Sequence, residues 1–152
     1  MEATFLQTYL CEHIPLSAAM GVEVMSVTED SVTLRAPLAP NINHRRTVFG
    51  GSASALAVLA AWSLLHERLR RTGVAARIVI QRNTTEHDLP IGGDFTARSH
   101  LRDPDGWPRF LKTLERRGRA RLKVHAILEY QGAVASRFEG SFVAVIPGPD
   151  GG

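Results

Sequence analysis

The chain has 152 residues, of which 44% are hydrophobic and 22% charged, with a formal net charge of +3 at pH 7. That length supports one domain with a proper core, and proportions so close to the globular average exclude a disordered or fibrous chain. One cysteine, Cys11, excludes an internal disulfide and a thiolate metal site, and the six histidines lack H-x-H or H-E-x-x-H spacing, so no metal is expected.

The first residues carry Glu2 in place of a basic segment, and no apolar stretch with a small-residue cleavage site follows, so a secretory leader is not expected. With the single cysteine, this makes the cytoplasm the expected compartment. Phe5, Leu6, Tyr9 and Leu10 recur at helical spacing and predict an amphipathic helix ending near Pro15. After Gly21, alternation through Val22, Val24 and Val27, then Val32, Leu34 and Ala36, predicts an antiparallel hairpin turning at Glu29-Asp30. Pro37 and Pro40 close it.

The polar stretch Asn41-Ile42-Asn43-His44-Arg45-Arg46-Thr47-Val48-Phe49 then leads through Gly50-Gly51 into a helix running to about Arg71 and stopped by Gly73. Its apolar residues, among them Leu56, Val58, Leu59, Trp62 and Leu65, surround nearly the whole circumference and mark a helix enclosed by other structure. The run 53–65 is broken by serines and falls short of the roughly 18 residues that argue for a membrane span, so none is expected.

Segments 74–87 and 95–101 predict a second hairpin around Leu89-Pro90-Ile91-Gly92-Gly93. A short helix follows from Pro108 to Arg117, with Pro at its start and Gly118 beyond its end. Two long strands, Arg119–Tyr130 and Val134–Ile146, turn at Gln131-Gly132. Residues 1–147 are expected to form one domain, with 148–152 a flexible tail.

Helix, two strands, long buried helix, four strands is the order of an α+β hotdog fold, an antiparallel sheet wrapped around a central helix. Four stretches add something more specific: Ala36-Pro37-Leu38-Ala39-Pro40-Asn41-Ile42-Asn43, Thr47-Val48-Phe49-Gly50-Gly51-Ser52, Arg117-Gly118-Arg119-Ala120-Arg121 and Phe138-Glu139-Gly140-Ser141-Phe142-Val143. Together they resemble the YiiD C-terminal thioesterase-like family of hotdog proteins, over most of the chain.

The resemblance implies substrates that are acyl thioesters of coenzyme A or acyl carrier protein, with no cofactor beyond the phosphopantetheine the substrate brings. It implies a homodimer with sites at the protomer interface, possible pairing into tetramers, and a central-helix N-terminus gripping the thioester carbonyl. Some members look like malonyl-acyl-carrier-protein decarboxylases of fatty-acid biosynthesis. Better-known hotdog thioesterases place an Asn as Asn43 stands to Phe49-Gly50, and a catalytic carboxylate two turns into the central helix. Here that position is Val58, and the helix has no acid before Glu67.

Hydrolysis needs an activated water or nucleophile. Decarboxylation instead needs donors that stabilise an enolate oxygen, each typically worth about 3–4 kcal/mol. The expected chemistry is therefore decarboxylation of a malonyl thioester, with hydrolysis second and a non-catalytic acyl-binding module third. The expected catalytic set is Asn43, Gly50, Gly51 and Thr47. The alternative reading of Asn43 is a cap of the turn or of the helix, and that of the glycines is close packing of helix and strand, which does not exclude an oxyanion site.

Phe49, Ser52, Val58, His44, Asn83, Thr85 and His87 are expected to line the substrate site. Ser52 is read as a helix cap, since the nucleophile-elbow pattern is missing. Asn83 and Thr85 share a strand face by alternation. His87 stands where the family usually has an aromatic, and Arg82 where it often has an acid. Arg45, Arg46, Arg117, Arg119 and Arg121 are expected to form a basic rim for a phosphate or an acidic carrier protein, or simply a solvated surface. Without a helix-turn-helix or aromatic-studded strands they give no expectation of nucleic-acid binding.

Overall fold

An antiparallel six-stranded sheet packs against one long helix, the hotdog arrangement. The structure, a computed structural model, describes residues 2–148. In chain order the elements are α1 (Glu2–His13), α2 (Pro15–Met20), β1 (Glu23–Val27), β2 (Val32–Ala36), α3 (Gly50–Thr72), β3 (Arg77–His87), β4 (Phe95–Leu101), α4 (Trp107–Arg117), β5 (Arg119–Tyr130) and β6 (Ala133–Val145). The expected tail lies outside the described residues beyond Gly148.

Most boundaries follow the residues that set them. Gly73 and Gly118 stop α3 and α4 in the left-handed region, with φ of 76° and 71°, where an L side chain is strained. Pro15 departs from expectation: it opens a second short helix, because its missing N–H falls in a first turn that has no intrahelical use for one.

The sheet order is β1-β2-β4-β5-β6-β3. The expected hairpin of segments 74–87 and 95–101 does not form: β4 lies between β2 and β5, while β3 crosses to the far edge and pairs with β6. Both partners of β4 offer apolar inward faces that continue its own Phe95, Ala97 and Leu101, so burial overrides the local turn signal.

Leu56, Ala57, Ala60, Ala61, Leu64 and Leu65 of α3 are buried against the inward sheet residues Leu34, Phe95, Ala126, Leu128 and Phe142. The alanines let helix and sheet approach closely, and each buried leucine contributes about 1.5–3 kcal/mol. Trp62 Nε1 donates to the Ile78 carbonyl at 3.1 Å, fixing α3 to β3.

One irregularity in β3 decides which side chains face the site. Ile80 pairs with Phe142 and Arg82 with Ser141, leaving Gln81 as an extra residue in a bulge. Ile78 and Ile80 point inward before it. After it the parity reverses, so Asn83, Thr85 and His87, opposite the buried Gly140, Phe138 and Ser136, point inward instead. Arg82, Thr84 and Glu86 take the outer face. Gly140 is confined between two rings: an added Cβ would stand 2.7 Å from Phe138 and 2.8 Å from Phe142.

Candidate active site

Asn41 anchors the approach to the central helix. It is buried, its Nδ2 donates to the Met20 and Pro37 carbonyls at 2.9 and 2.8 Å, and its own carbonyl accepts from the Phe49 amide at 2.8 Å. Between these points the chain makes a tight reversal, bridged at Ile42 and Val48, with Arg46 in the left-handed region.

Asn43 organises that reversal from inside. Its Oδ1 accepts from the amides of Arg45 and Thr47 at 2.8 and 3.1 Å, and its Nδ2 donates to Thr47 Oγ1 at 3.0 Å. The turn-capping alternative is thus realised, and Thr47 is its partner. One Nδ2 hydrogen is left without a described acceptor. His44, Arg45 and Arg46 are exposed at the tip.

Val48 N donates to the Ile91 carbonyl at 2.8 Å, and both Ser52 N and Ala53 N donate to the Phe49 carbonyl. Among the described residues the amides of Gly50 and Gly51 have no acceptor, as expected of the first two residues of a helix. Ser52 is not the cap: Phe49 holds that position, and no side chain bonds the helix start. The Phe49 ring is 58% exposed and folds over Gly51.

The start of α3 opens into a cavity of about 370 Å³. Val48, Gly50 and Ala53 form one wall; His87, Asp88, the segment 89–91 and Ser136 form the other. A Cβ placed on Gly50 would lie 3.9 Å from His87 Nε2, so the imidazole faces the first residue of the helix. Its Nδ1 is 3.0 Å from Ser136 Oγ, and Ser136 is buried. Asp88 is tied to Arg137, whose Nε donates to its Oδ2 at 3.0 Å and whose Nη2 also reaches Glu86 at 2.6 Å.

Asn83 and Thr85 share the inner face of β3 with His87, and Thr85 Oγ1 is buried without a partner among the described residues. Val58 lies eight residues from Gly50, about 12 Å along the helix axis, half-buried against the core and outside the cavity wall. Arg119 and Arg121 pair with Val145 and Val143, seven or more residues along β6 from Ser136. At about 3.3 Å per residue this puts them over 20 Å from His87, with Arg117 beyond. Within one chain the arginines do not rim this cavity.

Ser136 is the participant that the sequence did not reveal. Only the β3–β6 register brings it beside His87, and no local motif marks a serine within an alternating strand. Glu67, the first acid of α3, lies at the far end, buried and paired with Arg70 at 2.8 Å.

The model of a family described as "Putative thioesterase (yiiD_Cterm)" matches residues 3–146. Among solved structures, a Chlorobaculum tepidum protein of unknown function superposes with a TM-score of 0.88 at 28% identity, covering 94% of this chain and 93% of that one. A structure titled a "putative thioesterase" from Shewanella oneidensis gives 0.83 at 25%, covering 94% and 96%. A Pseudomonas aeruginosa protein gives 0.79 at 22%, covering 93% and 95%, and at that identity bears on the fold alone.

Proposed function

We infer, from the premise that this chain belongs to the yiiD C-terminal family, that it is an enzyme acting on acyl thioesters and that its reaction is decarboxylation of a malonyl thioester to the acetyl thioester. The observation carrying this reading is a helix start with two unengaged amides, Gly50 and Gly51, on a helix that brings no carboxylate near them. The amides and the spare Asn43 Nδ2 hydrogen would receive the thioester oxygen as it becomes an enolate, each donor supplying about 3–4 kcal/mol. The breaking bond sends its electrons toward that oxygen and CO2 departs neutral, so no base is needed for this step.

Hydrolysis is the second reading, favoured by the name of the Shewanella relative and by an imidazole beside the helix start able to activate water. The unpaired outer edge of β3, with Val79 exposed, supports a second copy pairing there, which would carry Asn83 and Thr85 toward the neighbouring site. Acyl carrier protein or coenzyme A would present the thioester, in the cytoplasm and in fatty-acid synthesis. The test is to incubate the protein with malonyl-acyl carrier protein, malonyl-CoA and medium-chain acyl-CoA and follow intact mass. Loss of CO2 with the thioester retained supports decarboxylation, free thiol supports hydrolysis, and no change in any mixture leaves an acyl-binding module.

A further inference from the structure

Decarboxylation leaves an enolate whose carbon must be protonated, and the donors at the start of α3 do not supply that proton. We propose that His87 is the catalytic acid of this site, held by Ser136 so that Nε2 delivers the proton to the α-carbon of the enolate. The inference rests on the decarboxylase reading above and adds the residue that completes it.

Three observations converge on His87. The Gln81 bulge turns it to the inner face, on which an unbroken alternation would have put Glu86. Nε2 faces Gly50, so the proton carrier and the two unengaged amides border one cavity. Nδ1 is held at 3.0 Å by the hydroxyl of a buried serine for which no other hydrogen bond is present among the described residues. In an imidazolium both nitrogens donate, so Ser136 Oγ accepts from Nδ1–H and Nε2–H is left to the cavity. After transfer Nδ1–H stays on the serine and Nε2 is bare, ready to be reprotonated from water.

The step balances. The bond from the α-carbon to the carboxylate breaks and CO2 leaves; its electron pair forms the enolate. That pair then makes the new C–H bond with the proton from Nε2, giving the acetyl thioester and neutral imidazole. One proton from water restores the imidazolium. Asp88 borders the same cavity but is engaged by Arg137, which sets it apart from this role.

The experiment measures malonyl-thioester decarboxylation by the parent, His87→Ala, His87→Gln and Ser136→Ala, with thermal melts to verify folding. His87 is exposed on an edge strand, so its variants are expected to fold. Both should lower kcat by about 10²–10⁴-fold with KM little changed. Added imidazole should restore part of the activity of the Ala variant, and the fall in rate with rising pH expected of the parent should vanish in both. Ser136→Ala, a positioning change, should lower kcat less and displace that pH limb without abolishing it. If the parent does not decarboxylate, the reading and this inference fall together. If the parent turns over and the His87 variants keep its kcat and pH profile, the inference alone is overturned.

Discussion

Gly51→Ala should move stability and activity in opposite directions. Gly51 is the second residue of α3, where alanine is preferred over glycine by up to about 1 kcal/mol, because glycine gives up more backbone freedom on folding. The new methyl would stand 2.5 Å from Phe49 Cε1 and 3.1 Å from Cδ1 and Cζ, so the ring must turn away. At 58% exposure that rotation surrenders little burial. The net change is about 0 to 1 kcal/mol in favour of folding, a rise in Tm of up to about 4 °C for a chain of this size.

The same methyl, with the ring it displaces, closes the approach to the Gly51 amide. Losing one donor to a developing oxyanion costs about 10²–10³ in kcat. Thermal melting by circular dichroism and the malonyl-thioester mass assay read the two effects separately. A variant at least as stable as the parent with kcat within about threefold would refute the placement of the oxyanion at this amide.

Gly140→Ala should behave in the contrary way. Its Cβ meets two buried rings, Phe138 and Phe142, that have no room to turn, so overpacking of about 1–3 kcal/mol should appear as a lower Tm. Asn43→Asp keeps the acceptor for the Arg45 and Thr47 amides and loses the donor; the expected result is near-parental melting with lost turnover, whereas Asn43→Ala should lower both. Burial lowers the His66 pKa from 6.5, with Arg70 and His13 adding to the shift and Glu67 opposing it. The unfolded chain therefore binds the proton first, and the contribution is full above about pH 6.5 and lost as pH falls below it. Melting at pH 7.5 and 5.5 should show a smaller acid loss in His66→Gln than in the parent, and an equal loss would exclude His66 as a source.

The parts legible in the sequence are those where local rules and tertiary packing agree. The β5–β6 hairpin announces itself by alternation and by Gln131-Gly132, both at positive φ in the structure. The extent of α3 follows from its apolar circumference and Gly73. Failures arise where a non-local partner overrides a local signal. Leu89-Pro90-Ile91-Gly92-Gly93 is a turn, but the strands it joins find their partners elsewhere in the sheet. Ser52 has a capping residue's chemistry at the wrong position of the first turn. The glycines that open α3 and the Asn43–Thr47 loop are legible because they are contiguous; the His87–Ser136 pair is not, because 49 positions separate its members.

The extra residue at Gln81 also shows that the wall of such a site is written in register as much as in residue identity. Because Gln81 stands outside the ladder, removing its codon would leave Asn83, Thr85 and His87 opposite Gly140, Phe138 and Ser136; drawing Gln81 into the ladder in place of Arg82 would exchange the two sets and turn Arg82, Thr84 and Glu86 inward while leaving the isoleucine anchors undisturbed. A slip of one residue thus re-equips one wall of a cavity in a single event, something no point substitution along that strand accomplishes.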